Sequence, residues 1–299
     1  MRTHSERGAA EFGVFDAHCD TLSLIADGTD ADNCAFTACG ADTYGSHTQV
    51  FACFISPRES DCAMERFMQI AGLFDELDFG KTKKLLSVEG ADMIRCEEDV
   101  DILYSRGVRC IALTWNHSNR LAGGADDETQ GITELGRRVI RRMEDVGILL
   151  DVSHLNDRSF YDAVSVSSRP IIATHSNSRA VCHHPRNLTD EMFRLIRGSG
   201  GCVGVNLYPP FLTGSDRARA ADAAAHVLHW AELGGIDAVG IGADFDGTDG
   251  LLPQDIRGCG ELYRLMDLLS ERGMSAAETE LFSYKNFERV FGIGEEKNA

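Results

Sequence analysis

Five short apolar runs of this chain end in side chains that bind metals. The runs and their endings read FGVFDAHCD, KKLLSVEG, GILLDVSH, PIIATHS and AVGIGADFDG, which place His18 and Asp20, Glu89, His154, His175 and Asp244 at the ends. Imidazoles and carboxylates together suit zinc or a similar divalent ion. So many ligands suit two ions, and two ions sharing a water point to hydrolysis. In extended backbone, residues i and i+2 point the same way, so His18 and Asp20 can face a common axis. Glu89 has two oxygens and can bridge two metals, and Gly90 permits a sharp turn out of the run. By the same alternation, Ile171, Ala173 and His175 share a face that can fill an interior. Asp244 can ligate metal or shuttle a proton, and Gly242 leaves room beside it. Asp246 reads as a brace for the turn.

A second group of candidates lies in CHHPRNLTD. The Arg186 guanidinium can clamp a substrate carboxylate, with Asn187 beside it. His183 and His184 are adjacent, so their side chains diverge, and they read as solvated. There is no G-x-S-x-G elbow, no G-x-x-x-x-G-K-[ST] loop and no H-E-x-x-H helix.

Elements that could gather these residues follow from the apolar pattern. Eight short runs, at 12–15, 48–55, 84–88, 108–114, 147–152, 170–174, 202–207 and 238–243, are dense in residues suited to strands covered on both faces. Helical spacing separates them, at 61–77, 133–146, 220–233, 261–272 and 276–290, with a further helix after Thr189. Thr133 and Thr189 are candidate N-caps, and Gly107, Gly147 and Gly201 precede strands as helix C-caps would. Such alternation predicts an α/β fold with a parallel sheet. A closed (β/α)8 TIM barrel satisfies it best, because barrels of this kind gather chemistry at strand C-terminal ends. An open doubly wound sheet would spread the same residues along a wide rim.

Bulk composition narrows the setting. The 299 residues suit one barrel of roughly 250 residues with additions. They are expected to divide into a flexible arm at 1–11 and a single catalytic domain at 12–299. A net charge of −18 repels phosphate backbones and anionic bilayers, so neither nucleic acid nor membrane is an expected partner. The N-terminal stretch has no hydrophobic core for a signal peptide. Ten cysteines without a C-x-x-C pair fit reduced thiols, and the expected location is cytoplasmic.

Taken together, DAHCDT, SVEGAD, LLDVSH, IIATHSNSRAVCHHPRNLTDE, GVNLY, GIGADFDG and KNFERVF resemble the membrane (renal) dipeptidase family of zinc peptidases, in order from about residue 13 to residue 292. The resemblance implies a metallo-dependent hydrolase barrel with two Zn2+ ions per chain. His18 and Asp20 would hold one ion, His154 and His175 the other, and Glu89 would bridge them. It implies Arg186 as a substrate contact and Asp244 as the acid beside the scissile bond. It further implies a homodimer that cleaves free dipeptides, tolerating D-residues at the C-terminal position, through a metal-bridging hydroxide. One departure stands out. Animal members carry a histidine where this chain has Trp115, in LTWNHSN, with His117 two residues on. If the strand continues, Trp115 and His117 share a face. His117 then either replaces the missing imidazole and polarises the substrate carbonyl, or it faces solvent. Two other functions fit the same residues: a two-metal amidohydrolase acting on lactams or N-acyl amino acids, and a non-catalytic barrel that keeps its metals.

Overall fold

A computed structural model describes residues 12–293; the arm expected at 1–11 and the last six residues lie outside the described residues. Eight parallel strands run β1 (Gly13–Cys19), β2 (Ser46–Phe54), β3 (Lys83–Glu89), β4 (Val108–Ala112), β5 (Leu149–Asp151), β6 (Ile171–Ile172), β7 (Val203–Val205) and β8 (Val239–Ile241). Neighbours pair in the order β6-β5-β4-β3-β2-β1-β8-β7. A parallel bridge between Ala173 and Val203 joins the two ends and closes the barrel. All eight expected runs thus became strands, and the closed barrel prevailed over the open sheet.

Helices fall between the strands much as the periodicity predicts. Glu134–Val146 begins at Thr133, whose side chain accepts from the Gly136 N–H, and ends at Gly147 with φ 89°. Asp190–Gly198 begins at Thr189, which accepts from the Met192 N–H. Gly201 is not the left-handed residue before β7; that is Gly200, with φ 86°. Gly201 is needed instead for close approach, since a Cβ there would lie 1.7 Å from the Ile171 carbonyl oxygen. The final expected helix at 276–290 is interrupted by a π-helical turn, Leu281–Lys285. Sequence spacing alone did not single out Asp157–Val166, which Asn156 caps.

Inside the barrel, Phe15, Ala17, Val50, Cys110, Ile172 and Cys202 form a small apolar cluster, closed below by Phe287. The larger core lies outside the sheet, beneath the helices. This sorting corrects one expectation. Ile172 faces the interior while Ile171 and Ala173 pack outside, one step from the predicted alternation. The chain leaves extended conformation after Ala173, and that bend swings His175 to the site. β1 needs a similar correction. Phe15 and Ala17 point inward, so strict alternation would turn His18 away. Pairing with β2 steps from Asp16↔Gln49 to Cys19↔Phe51, so one extra residue bulges on β1 and re-aims the end of the strand.

Two glycines let strands β7 and β8 crowd against the segment after β6. A Cβ on Gly204 would sit 2.1 Å from the Thr174 carbonyl oxygen, and one on Gly242 only 1.8 Å from it. The room beside Gly242 is therefore filled by backbone rather than left open. Gly242→Ala is expected to lower stability by about 1–3 kcal/mol through overpacking. A fall in the urea midpoint at unchanged m-value would register it.

Candidate metal centre

The expected ligands come together at the C-terminal ends of the strands. The His154 Nε2 lies 2.6 Å from Glu89 Oε1, and His175 Nε2 lies 3.4 Å from the same oxygen. On the other side, His18 Nε2 is 3.4 Å from Asp20 Oδ2, 3.7 Å from Glu89 Oε2 and 3.8 Å from Asp244 Oδ1. Three sets of three therefore overlap: His18, His175 and Asp244 form one, and two others, one of His18, Asp20 and Glu89 and one of Glu89, His154 and His175, meet on Glu89. Glu89 gives one oxygen to each of those two. All five candidate ligands and Asp244 are buried.

Local backbone sets these positions. Glu89 ends β3, and Gly90 turns the chain away with φ 77°. Asp20 precedes the helix Thr21–Ala26. His154 and Asp244 adopt φ 68° and 62°, conformations that non-glycine residues seldom take and that cluster at functional sites. Asp16 ties β1 to β8 by accepting from the Ala243 N–H at 2.8 Å.

The charge balance asks for cations. Burial pushes the Asp20 and Glu89 carboxyls up, and pushes Asp244 up to about 7. Burial also disfavours charge on His18, but the carboxylates of Glu89, Asp20 and Asp244 outweigh it and push that ring up to about 10. His154 and His175 are held well below the ordinary histidine range, first by burial. His18 Nε2 and Asp20 Oδ1 are buried without a hydrogen-bond partner. Unpartnered polar atoms of this kind cost free energy, and a divalent ion would satisfy both. The donor set of three imidazoles and three carboxylates fits such ions.

A cavity of about 700 Å³ opens above the ligands. Asp20, Glu89, His154 and Asp244 reach its lining, together with Leu24, Phe54, Pro57, Arg58, Trp115, Tyr208 and Phe211. His18 and His175 lie beneath it. Arg186 is also buried beneath, its Nη2 donating to the His175 carbonyl at 3.2 Å and its guanidinium 5.4 Å from the Phe211 ring centroid. Its Nε has no partner. Asn187 lies outside the lining and donates its amide to the carbonyls of Cys182 and Phe211, both at 2.8 Å.

Trp115 and His117 depart from the expected geometry. β4 ends at Ala112, so the two do not alternate along a strand. Trp115 lines the cavity and packs edge-on against Phe54. The His117 side chain is 56% exposed, with Nδ1 3.2 Å from Asp126. His117 also lines the cavity, with its side chain more than half exposed at the outer part of the lining and away from the buried ligand cluster. A polariser of the carbonyl would need to reach into the buried centre. Asp246 behaves as a brace, accepting from the Thr21 hydroxyl and the Ala35 N–H, both at 2.6 Å. His183 is exposed, while His184 is half-buried and accepts from the Arg186 N–H.

Supporting residues complete the site. Asn206 donates to Asp244 Oδ2 at 2.8 Å. Asn116 Oδ1 lies 2.8 Å from His154 Nδ1. Asp151 and Thr174 stand behind the histidines. Asp151 and Asn206 sit inside the apolar motifs LLDVSH and GVNLY, where a buried polar residue is itself a signal. Asn116 carries no such mark.

Known proteins resemble this chain in sequence and in fold. Residues 58–299 match the model of the membrane dipeptidase family, peptidase family M19. The chain belongs to that family. It is 35% identical over 216 residues to an uncharacterised Klebsiella pneumoniae protein encoded 5′ of pqqA, covering 68% of this chain and 79% of that one. It is 36% identical over 200 residues to an uncharacterised dipeptidase of Schizosaccharomyces pombe, covering 64% of this chain but only 47% of the yeast protein. Among solved structures, a Rhodobacter sphaeroides metallopeptidase liganded with a phosphinate mimic of L-Ala-D-Ala superposes with a TM-score of 0.85 at 23% identity, over 94% of this chain and 99% of that one. The metallopeptidase dipeptidase AC gives the same TM-score and coverage at 26% identity. Despite the family name, no helix among the described residues is long and apolar enough to cross a membrane.

Divalent ions should stabilise the folded chain by mass action. Zinc added to the metal-stripped protein at about 100 times its dissociation constant is expected to contribute about 2.7 kcal/mol. The check is a rise in Tm with zinc that Glu89→Ala, which removes the shared ligand, largely abolishes.

Proposed function

We propose that this protein hydrolyses the peptide bond of free dipeptides at a pair of zinc ions, and that it accepts D-residues at the C-terminal position. The observation carrying this reading is the overlap of two ligand sets on Glu89 at the floor of the cavity. When bound, the ions supply a nucleophile from water at neutral pH and polarise the scissile carbonyl. Asp244 would take the proton of the attacking water on Oδ1 and pass it to the leaving amine, while Asn206 keeps Oδ2 occupied. Arg186, with Nε unpartnered, would receive the dipeptide's C-terminal carboxylate. Asn187 would act indirectly, by pinning the loop that carries Arg186. Trp115, with Phe54, would receive a substrate side chain. His117 would stay at the mouth, outside the reacting centre. A homodimer, from the family resemblance, and a cytoplasmic location, from the unpaired cysteines, belong to the same proposal.

Chelation is expected to abolish cleavage of L,L- and L,D-dipeptides, and zinc to restore it; full activity in metal-free protein would reject the mechanism. A panel containing lactams and N-acyl amino acids separates the amidohydrolase alternative, and no turnover of any of them separates a non-catalytic barrel. Arg186→Ala should raise KM for free dipeptides by roughly 30-fold or more, the worth of a lost charged hydrogen bond. An unchanged KM would exclude the clamp. Trp115→Ala should lower kcat/KM for dipeptides with large apolar side chains more than for Ala-D-Ala.

A further inference from the structure

Thr174 lies at the back of the site, fully buried and outside the cavity lining. Its hydroxyl oxygen is 2.5 Å from Asp151 Oδ2, 2.9 Å from His175 Nδ1, and 3.4 Å from both His18 Nδ1 and the Ser153 hydroxyl. A hydroxyl has one proton to give and two lone pairs to receive with. Asp151 is the shortest contact and a carboxylate, so it takes the proton. The lone pairs of Thr174 are then open to the two rings and to the Ser153 hydroxyl, whose own oxygen accepts from the His175 N–H, and a ring must carry its proton on Nδ1 to use one of them. That leaves Nε2 of both rings free as a metal-binding lone pair. Asp151 is in turn fixed, because Oδ1 accepts from the Ser153 and Thr174 N–H groups at 2.9 and 3.0 Å. His18 and His175 share one candidate set with Asp244, but in the two sets that meet on Glu89 they fall on opposite sides, and their ring centroids are only 3.9 Å apart. His154 is held separately, by Asn116.

We propose that the Asp151–Thr174 pair is a shared positioning device, in which one hydroxyl fixes the ring orientation and tautomer of a histidine in each of the two metal sites. The inference rests on the two-metal reading of the site. It assigns Thr174 a role in metal affinity at both sites, and Asn116 a role at one. Partners that orient metal-binding histidines commonly change affinity by 10–100-fold when removed.

Competition with a chromophoric chelator, titrating zinc into the metal-stripped full chain, reads the two equivalents separately. Thr174→Val keeps the shape and loses the acceptor, and is expected to weaken both equivalents by roughly 10-fold or more. Thr174→Ser should return both to near the wild-type values, and Asn116→Leu should weaken only one. Weakening of a single equivalent in Thr174→Val, or a Ser variant as weak as the Val variant, would overturn the proposal. If Thr174→Val does not fold, exchange of the ring N–H protons in zinc-loaded wild-type protein decides. Those of His18 and His175 should both be protected, and either one exchanging as fast as that of exposed His183 would overturn the device. Wild-type protein that binds fewer than two zinc equivalents would instead refute the two-metal reading. The ring-proton measurement would then still judge Thr174.

Discussion

Three carboxylates and three imidazoles packed together out of water form an electrostatic problem that the chain's own charges do not solve. Asp20, Glu89 and Asp244 share one small volume with a single imidazole that burial opposes as a cation but the carboxylates keep charged, and Arg186 adds one further positive group nearby. Left so, the acids are driven toward protonation and His18 Nε2 toward isolation. Divalent ions reverse both tendencies at once, and most other features of the barrel mouth can be read as ways to hold this cluster in place.

Holding it requires departures from regular strand geometry. A bulge in β1 turns His18 inward, a bend after β6 swings His175 across, and left-handed backbone at His154 and Asp244 aims two further side chains. Each departure is supported by dense packing below, where Gly204 and Gly242 admit the Thr174 backbone and large side chains such as Phe15 fill the interior. Strain at the rim is tolerated because the cylinder beneath it is rigid.

The cavity's walls divide the labour differently from its floor. The floor is charged and fully buried, whereas Phe54, Trp115, Tyr208 and Phe211 offer aromatic surface above it. Arg186 lies under this surface, against Phe211, with its loop pinned by Asn187. A small zwitterion such as a dipeptide presents matching chemistry, with charged ends and an apolar side chain.

The order of apolar runs and the residue types at their ends were enough to determine the eight strands, the closed barrel and the identities of the five proposed ligands. Periodicity and terminal chemistry are local properties, and a chain carries them openly. Facing direction was not legible in the same way. Alternation failed at Ile171, where the interior residue is Ile172, and at the site end of β1, because a bulge or an early strand ending inverts every later side chain. His117 was ambiguous for the same reason, since nothing in LTWNHSN states that β4 stops at Ala112. The supporting contacts were hidden further still. Asn116 and His154 are 38 residues apart, and Thr174 meets His18 across 156. Only closure of the barrel brings such pairs together, so which proton sits on which ring nitrogen was a decision left to the tertiary structure.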